Sequence, residues 1–330
     1  MSIRTNRHSL GIVLGALFVA ACSTSDAPVA PGAARPSVAT SPDLDAQHWS
    51  AWSPPENLGA VINTGANEQH PTISKDGLSL YFASDRTGTM GGLDIWVSHR
   101  AKIDEPWGAP QNLGPNINSA GNDLAVGFSH NPHWMYYHTN GRGGCGGPDI
   151  FVSRRQTAQD DLGWGVAQNI GCVVNGPFDD AGPTLLEDET TGITTMLFNS
   201  NRPGGPGNFD IYQTTRVGDD GEWTAPTLVT ELNGPARDTR VTASRDLLTL
   251  FISSDITGRV GGIGGQDIWV STRPNTLSPW STPVNLGSVV NTTGFDGAPS
   301  LSWDGTELYF FSDRAGFGKN DLYVTRRTRK

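Results

Sequence analysis

Trp52-Ser-Pro-Pro-Glu-Asn-Leu-Gly59 returns as Trp107-Gly-Ala-Pro-Gln-Asn-Leu-Gly114 and again as Trp280-Ser-Thr-Pro-Val-Asn-Leu-Gly287. Looser copies open at Trp164 and Trp223, so five tryptophans stand 55 to 59 residues apart. Self-similarity at a fixed period marks a repeat architecture. Each copy continues with an acid (Glu68, Asp123, Asp180, Asp238 or Asp296) and then a turn such as Ser74-Lys-Asp-Gly77 or Ser302-Trp-Asp-Gly305. An alternating strand such as Leu78-Ser-Leu-Tyr-Phe-Ala83 follows, ending in Ser84-Asp-Arg86 or Ser312-Asp-Arg314. After a glycine-rich loop the unit closes on Asp-Ile/Leu-aromatic at Asp94, Asp149, Asp210, Asp267 and Asp321. Four short strands per unit and no helical period describe a propeller blade. The expected fold is all-β, a five-bladed β-propeller of four-stranded antiparallel blades. The fifth copy stops after its third strand and Trp52–Gly59 has no partner ahead of it. The N-terminal strand is therefore predicted to complete the last blade, close the ring and cover an exposed edge.

These motifs resemble the PD40 group of WD40-like repeats, found in the TolB-type propellers of the bacterial envelope. The resemblance runs over residues 52–327, and copies two, three and four depart from it at the first turn, where Asp-Gly is lost. It implies a non-catalytic envelope lipoprotein, a rigid scaffold that binds a protein or glycan partner through its loop face. The alternative is a glycoside hydrolase or polysaccharide lyase with carboxylates at the propeller axis, since the two chemistries share a need for paired acids or free cations.

Composition agrees with strands and turns: 41 glycines and 22 prolines in 330 residues. Net charge is −10, which argues against nucleic acid as a partner. Arg4, Arg7 and His8 precede a short apolar run, Leu10 to Ala21, that ends in Val19-Ala20-Ala21-Cys22. This has signal-peptide proportions and resembles a lipobox. Three segments follow: a lipoprotein signal peptide over 1–21, a lipidated Cys22 with a disordered Ala/Pro/Ser/Thr-rich tether over 22–48, and the propeller over 49–330. The expected location is the outer membrane, with the lipid anchor as the sole membrane contact and the ring monomeric. Cys145 and Cys172 remain as an even pair, and a disulfide is expected between them.

Five-fold repetition places Glu68, Asp123, Asp180, Asp238 and Asp296 around one end of the central channel. Such a ring would attract a Ca²⁺ or another cation; otherwise each acid serves a blade joint, the reading that repeat equivalence favours. No cofactor is fixed by the sequence. If the protein is an enzyme, Glu68, the one Glu among the five, with Asp180 or Asp296, is the candidate pair. His70, beside the acids, is the histidine best placed for chemistry. Arg86, Arg142, Arg202, Arg259 and Arg314 each precede a closing Asp by seven or eight residues. Structural ion pairs are expected with Asp94, Asp149, Asp210, Asp267 and Asp321. His130 and His133 lie three apart on a turn, with His138 beyond, a weak metal pattern. Glu187-Asp188-Glu189 reads as a solvated loop tip.

Overall fold

The computed structural model describes residues 49–255 and 259–330, and these form five four-stranded antiparallel sheets. The signal segment, Cys22 and the tether lie outside the described residues. Blade one holds β2 (Glu68–Ile73), β3 (Ser79–Ser84), β4 (Asp94–His99) and β5 (Gln111–Asn112). Blade two holds β6 (Asp123–Phe128), β7 (Trp134–Thr139), β8 (Asp149–Arg154) and β9 (Gln168–Asn169). Blade three holds β10 (Asp180–Asp188), β11 (Ile193–Ser200), β12 (Asp210–Val217) and β13 (Thr227–Leu228). Blade four holds β14 (Asp238–Ala243), β15 (Thr249–Asp255), β16 (Gln266–Thr272) and β17 (Val284–Asn285). Blade five holds β18 (Asp296–Leu301), β19 (Glu307–Ser312) and β20 (Asp321–Arg326), and its outermost strand is β1 (Glu56–Asn57), paired antiparallel to β20. The ring is closed by the N-terminal strand.

Apolar side chains from the middle strands pack blade on blade. Tyr81, Ile95, Val126, Met135 and Tyr137 form one such layer between blades one and two. The repeating tryptophan has a repeating partner that sequence inspection did not pick out, an arginine at the end of the third strand or just past it. Arg100 lies 4.3 Å over Trp107, Arg155 4.5 Å over Trp164, Arg216 4.7 Å over Trp223, Arg273 4.2 Å over Trp280 and Arg327 4.4 Å over Trp52. Cation–π stacking in a partly desolvated seam favours Trp there over smaller aromatics.

Each innermost strand carries a β-bulge two residues after its acid. The register slips between Gln69 and Thr72, Leu124 and Gly127, Ala181 and Thr184, Thr239 and Val241, and Gly297 and Ser300. The bulged residues are His70, Ala125, Gly182, Arg240 and Ala298, with φ of 50°, 58°, 65°, 34° and 49°. Only the glycine adopts this region without strain; the others cost on the order of 1–3 kcal/mol each. A bulge re-aims the side chain it carries, so five equivalent positions line the axis.

Candidate functional site

The acids at the start of the innermost strands are all fully buried. Glu68 accepts from Thr64 N at 2.9 Å and from Arg86 Nη2 at 3.0 Å. Asp180 accepts from Gly176 N at 2.6 Å and Arg202 Nη2 at 2.5 Å. Asp238 accepts from Gly234 N at 2.7 Å and Arg259 Nη2 at 2.8 Å. Asp296 accepts from Thr292 N and Arg314 Nη2, both at 2.6 Å. Asp123 accepts from Ser119 N at 2.7 Å but has no arginine, since Arg142 Nη2 donates to the Pro115 carbonyl at 2.8 Å. Burial pushes the Asp123 carboxyl above the usual range, as it does that of Asp238 despite Arg259.

These contacts correct two expectations. The arginines do not pair with Asp94, Asp149, Asp210, Asp267 and Asp321. Innermost and second strands are paired, with Glu68 opposite Ser84, and Arg86 just beyond folds back onto that acid. The closing aspartates instead hold the glycine-rich loop and the next repeat: Asp94 accepts from Met90 N and Asn112 Nδ2, each at 2.7 Å, and Asp149, Asp267 and Asp321 take Asn169, Asn285 and Asn57 likewise. Glu68, Asp180 and Asp296 are fully buried and use both carboxylate oxygens in these joints, so as a catalytic pair they are out of substrate reach. Among the described residues no group of three or more His, Cys, Asp or Glu is placed to hold a metal, the ring of acids and the blade-two histidines included. Cys145 and Cys172 are joined as a disulfide on this acid-bearing side.

The axis itself breaks the repeat. Beside the bulged residues stand second-strand residues that differ from blade to blade: His138, Asn199, Ser253 and Phe311. Three of them cap the bulge of the following blade: Gly182 N donates to His138 Nδ1 at 3.3 Å, Arg240 N to Asn199 Oδ1 at 3.4 Å and Ala298 N to Ser253 Oγ at 2.7 Å. His70, half-buried, meets His138 edge-on at 6.3 Å between ring centroids. Burial, then the cationic neighbour Arg240, brings His138 down to about 3; burial and His138 hold His70 well below its ordinary value. Both imidazoles are neutral at pH 7.

Arg240 spans the channel. Its Nη1 donates to the carbonyls of Ala125 at 3.0 Å and Pro183 at 3.3 Å, and its Nη2 to Val126 O at 2.6 Å and Thr72 Oγ1 at 2.9 Å. It is 4 % exposed, and its Nε has no acceptor.

Below Arg240 opens a cavity of about 100 Å³, lined by Arg240, Lys75, His130, Phe128 and Trp303 among others. Its rim is the first turn of each blade. The second turn residues, Lys75, His130, Arg245 and Trp303, converge: Lys75 Nζ sits 4.5 Å and the Arg245 guanidinium 5.3 Å from the Trp303 ring, and His130 meets its edge at 5.0 Å. Blade three replaces the short turn with a longer hairpin, its β10 running nine residues where β2 has six. That extension carries Glu187 and Glu189 to the same rim. Glu187 accepts from Ser129 Oγ at 2.5 Å and His130 N at 2.8 Å. Both glutamates reach His130 Nδ1 at 3.6 Å, Glu187 14 % and Glu189 86 % exposed. Burial and Lys75 lower the His130 pKa against the two acids. The sequence did betray this site, through its departures from the repeat: Ser129-His-Asn-Pro132 and Glu187-Asp-Glu189 are where blades two and three lose Asp-Gly.

No family model and no curated protein matches the chain. Solved structures do. Glycoside hydrolases are among them. The catalytic domain of the Coprinopsis cinerea GH62 α-L-arabinofuranosidase superposes with a TM-score of 0.53 at 12 % identity, over 85 % of this chain and 97 % of that one. A GH62 hydrolase in complex with xylotriose gives 0.54 at 10 % identity, over 84 % and 96 %. A structure described as a glycoside hydrolase gives 0.56 at 11 % identity, over 87 % and 94 %. This likeness is one of fold. It corrects the expected kinship with PD40 and TolB-type repeats and the expected non-catalytic, protein-binding scaffold. The residues that carried that resemblance are joint residues, which any ring of such blades requires, and so they say little about descent or activity.

Proposed function

We propose that this protein acts on glycans as a glycoside hydrolase, at the turn-side mouth of the axis. The observation that carries the reading is the Glu187–His130–Glu189 cluster beside the Trp303 indole. Two carboxylate oxygens that each lie 3.6 Å from one imidazole nitrogen are separated by at most twice that distance. Glycosidases place their two carboxyl groups roughly 5–9.5 Å apart, the smaller values belonging to retention and the larger to inversion. Glu187, held by two donors, is the stationary carboxylate. Glu189, on the exposed turn, is free to approach a leaving oxygen. The Trp303 indole, packed by Lys75 and Arg245, adds an aromatic wall beside the acids, and the five-bladed ring shared with known glycoside hydrolases supports the assignment.

The test is a turnover screen of the full chain against neutral and acidic polysaccharides, reading released reducing ends, with Glu187→Gln and Glu189→Gln as controls. Each substitution is expected to lower turnover by about 10²–10⁴-fold, the usual weight of a general acid or base, with an unchanged thermal midpoint. A double variant as active as the parent, or a parent that releases nothing from any glycan, would overturn the proposal.

A further inference from the structure

Arg240 presents an imbalance that nothing in the ring corrects. A guanidinium buried to 4 % exposure is normally matched by a carboxylate, because carbonyl dipoles solvate a cation without cancelling its charge. The arginines of the blade joints, Arg86, Arg202, Arg259 and Arg314, are only half-buried and still have such partners. Around Arg240 the acceptors are three carbonyls and one hydroxyl, all neutral, and among the described residues no carboxylate reaches it within ion-pair distance. The Nε hydrogen is unused. Arg240 also lines the cavity under the turn-side mouth, whose rim adds Lys75 and Arg245. The two acids at this mouth, Glu187 and Glu189, sit to one side, on His130.

We infer that the axial cavity receives a carboxylate carried on a sugar ring, with Arg240 as its charge partner at the floor, so that the substrate is a uronic-acid glycan. This rests on the glycan-acting reading above and narrows it. Geometry sets the mode of binding. The cavity, about 100 Å³, is small beside the roughly 300–1,000 Å³ of a pocket that encloses a whole ligand. It admits the charged edge of one residue and leaves the rest of the chain on the rim, against Trp303. Arg240, whose buried Nε has no acceptor, supplies the uncompensated positive charge at the cavity floor, while Lys75 meets the carboxylate from the rim. Burial already lowers the Lys75 pKa, which an arriving anion would reverse.

The experiment is calorimetric titration of the full chain with a trisaccharide of galacturonic acid, the same trisaccharide with its carboxyl groups reduced to neutral alcohols, and sodium acetate as the bare carboxylate. The acidic sugar is expected to bind at least tenfold more tightly than its reduced form, with a preference that shrinks from 50 to 300 mM salt. Arg240→Gln should erase that preference. Because Arg240 ties several blades together, that variant can unfold; Lys75→Gln combined with Arg245→Gln, at the rim, should then cut the preference at least threefold in a folded ring. Equal or tighter binding of the neutral sugar overturns the inference, as does acetate binding as well as the uronate. If neutral glycans are cleaved and acidic ones ignored, the inference falls and the hydrolase reading stands. If acidic glycans bind but no glycan is cleaved, the reverse holds.

Discussion

The two ends of the axis are built on opposite plans. On the acid-bearing side every blade repeats one joint: a buried carboxylate takes the backbone N–H four residues earlier and, in four blades of five, an arginine. On the turn side the equivalent positions hold Lys75, His130, Arg245 and Trp303, with Glu187 reaching in from the lengthened blade three. Sameness around a ring follows from assembly, since each blade must meet its neighbour in the same way. Difference around a ring cannot come from that requirement and points to a ligand that touches some blades and not others.

The contrast can be broken by measuring stability on each side. Asp180→Ala leaves the half-buried Arg202 without its counter-ion, and a loss of about 3 kcal/mol, the low end for a buried pair, is expected by urea unfolding. A loss under 1 kcal/mol would mean that the joints are not what holds the blades together. The channel between the two ends should report through pH. His138 is buried and its pKa lies near 3 when folded, against about 6.5 in an unfolded chain. The unfolded state therefore binds the extra proton as pH falls through 6.5, and stability should decline toward acid, by roughly 2 kcal/mol between pH 6.5 and 4.5 if His138 acts alone. His138→Asn should flatten that slope, and an unchanged slope would place its origin elsewhere. The smallest effect is expected at the turn side: Arg245→Gln, on an exposed side chain, should shift stability by no more than about 0.5 kcal/mol. A larger change would show that this end, too, is architectural.

The fold was legible because its signals are short-range and repeated. Trp-x-x-Pro-x-Asn-Leu-Gly and Asp-Ile-aromatic mark strand ends, and their count is the blade count. Partners were less legible. Arg86 lies eight residues before Asp94 in the chain, yet strand pairing puts it against Glu68, so proximity along the chain named the wrong carboxylate. The bulges left no trace at all: Glu68-Gln-His-Pro-Thr-Ile73 reads as an ordinary strand, and nothing in it announces that His70 adopts a positive φ and faces the axis. The site was missed for a different reason. Residues repeated in every blade drew notice as candidate chemistry, whereas Lys75, Arg245 and Trp303 occupy one variable turn position and Glu187 an irregular hairpin. Aligning the copies and asking where they disagree would have assembled the mouth.

The strand that closes the ring also sets when folding can finish. Asn57 pairs with Tyr323, and its side chain donates to Asp321 at 2.9 Å, so residues more than 260 positions apart must meet. If the chain is delivered N-terminus first, blades one to four can form while β1 waits for its partner. Pairing across such a span is entropically slow, and until it happens β20 offers an unpaired edge to any neighbouring chain. The nascent protein therefore passes through a horseshoe whose last seam is also its most vulnerable to misassembly, and a chaperone that shields β20 would serve this protein better than one that shields its core.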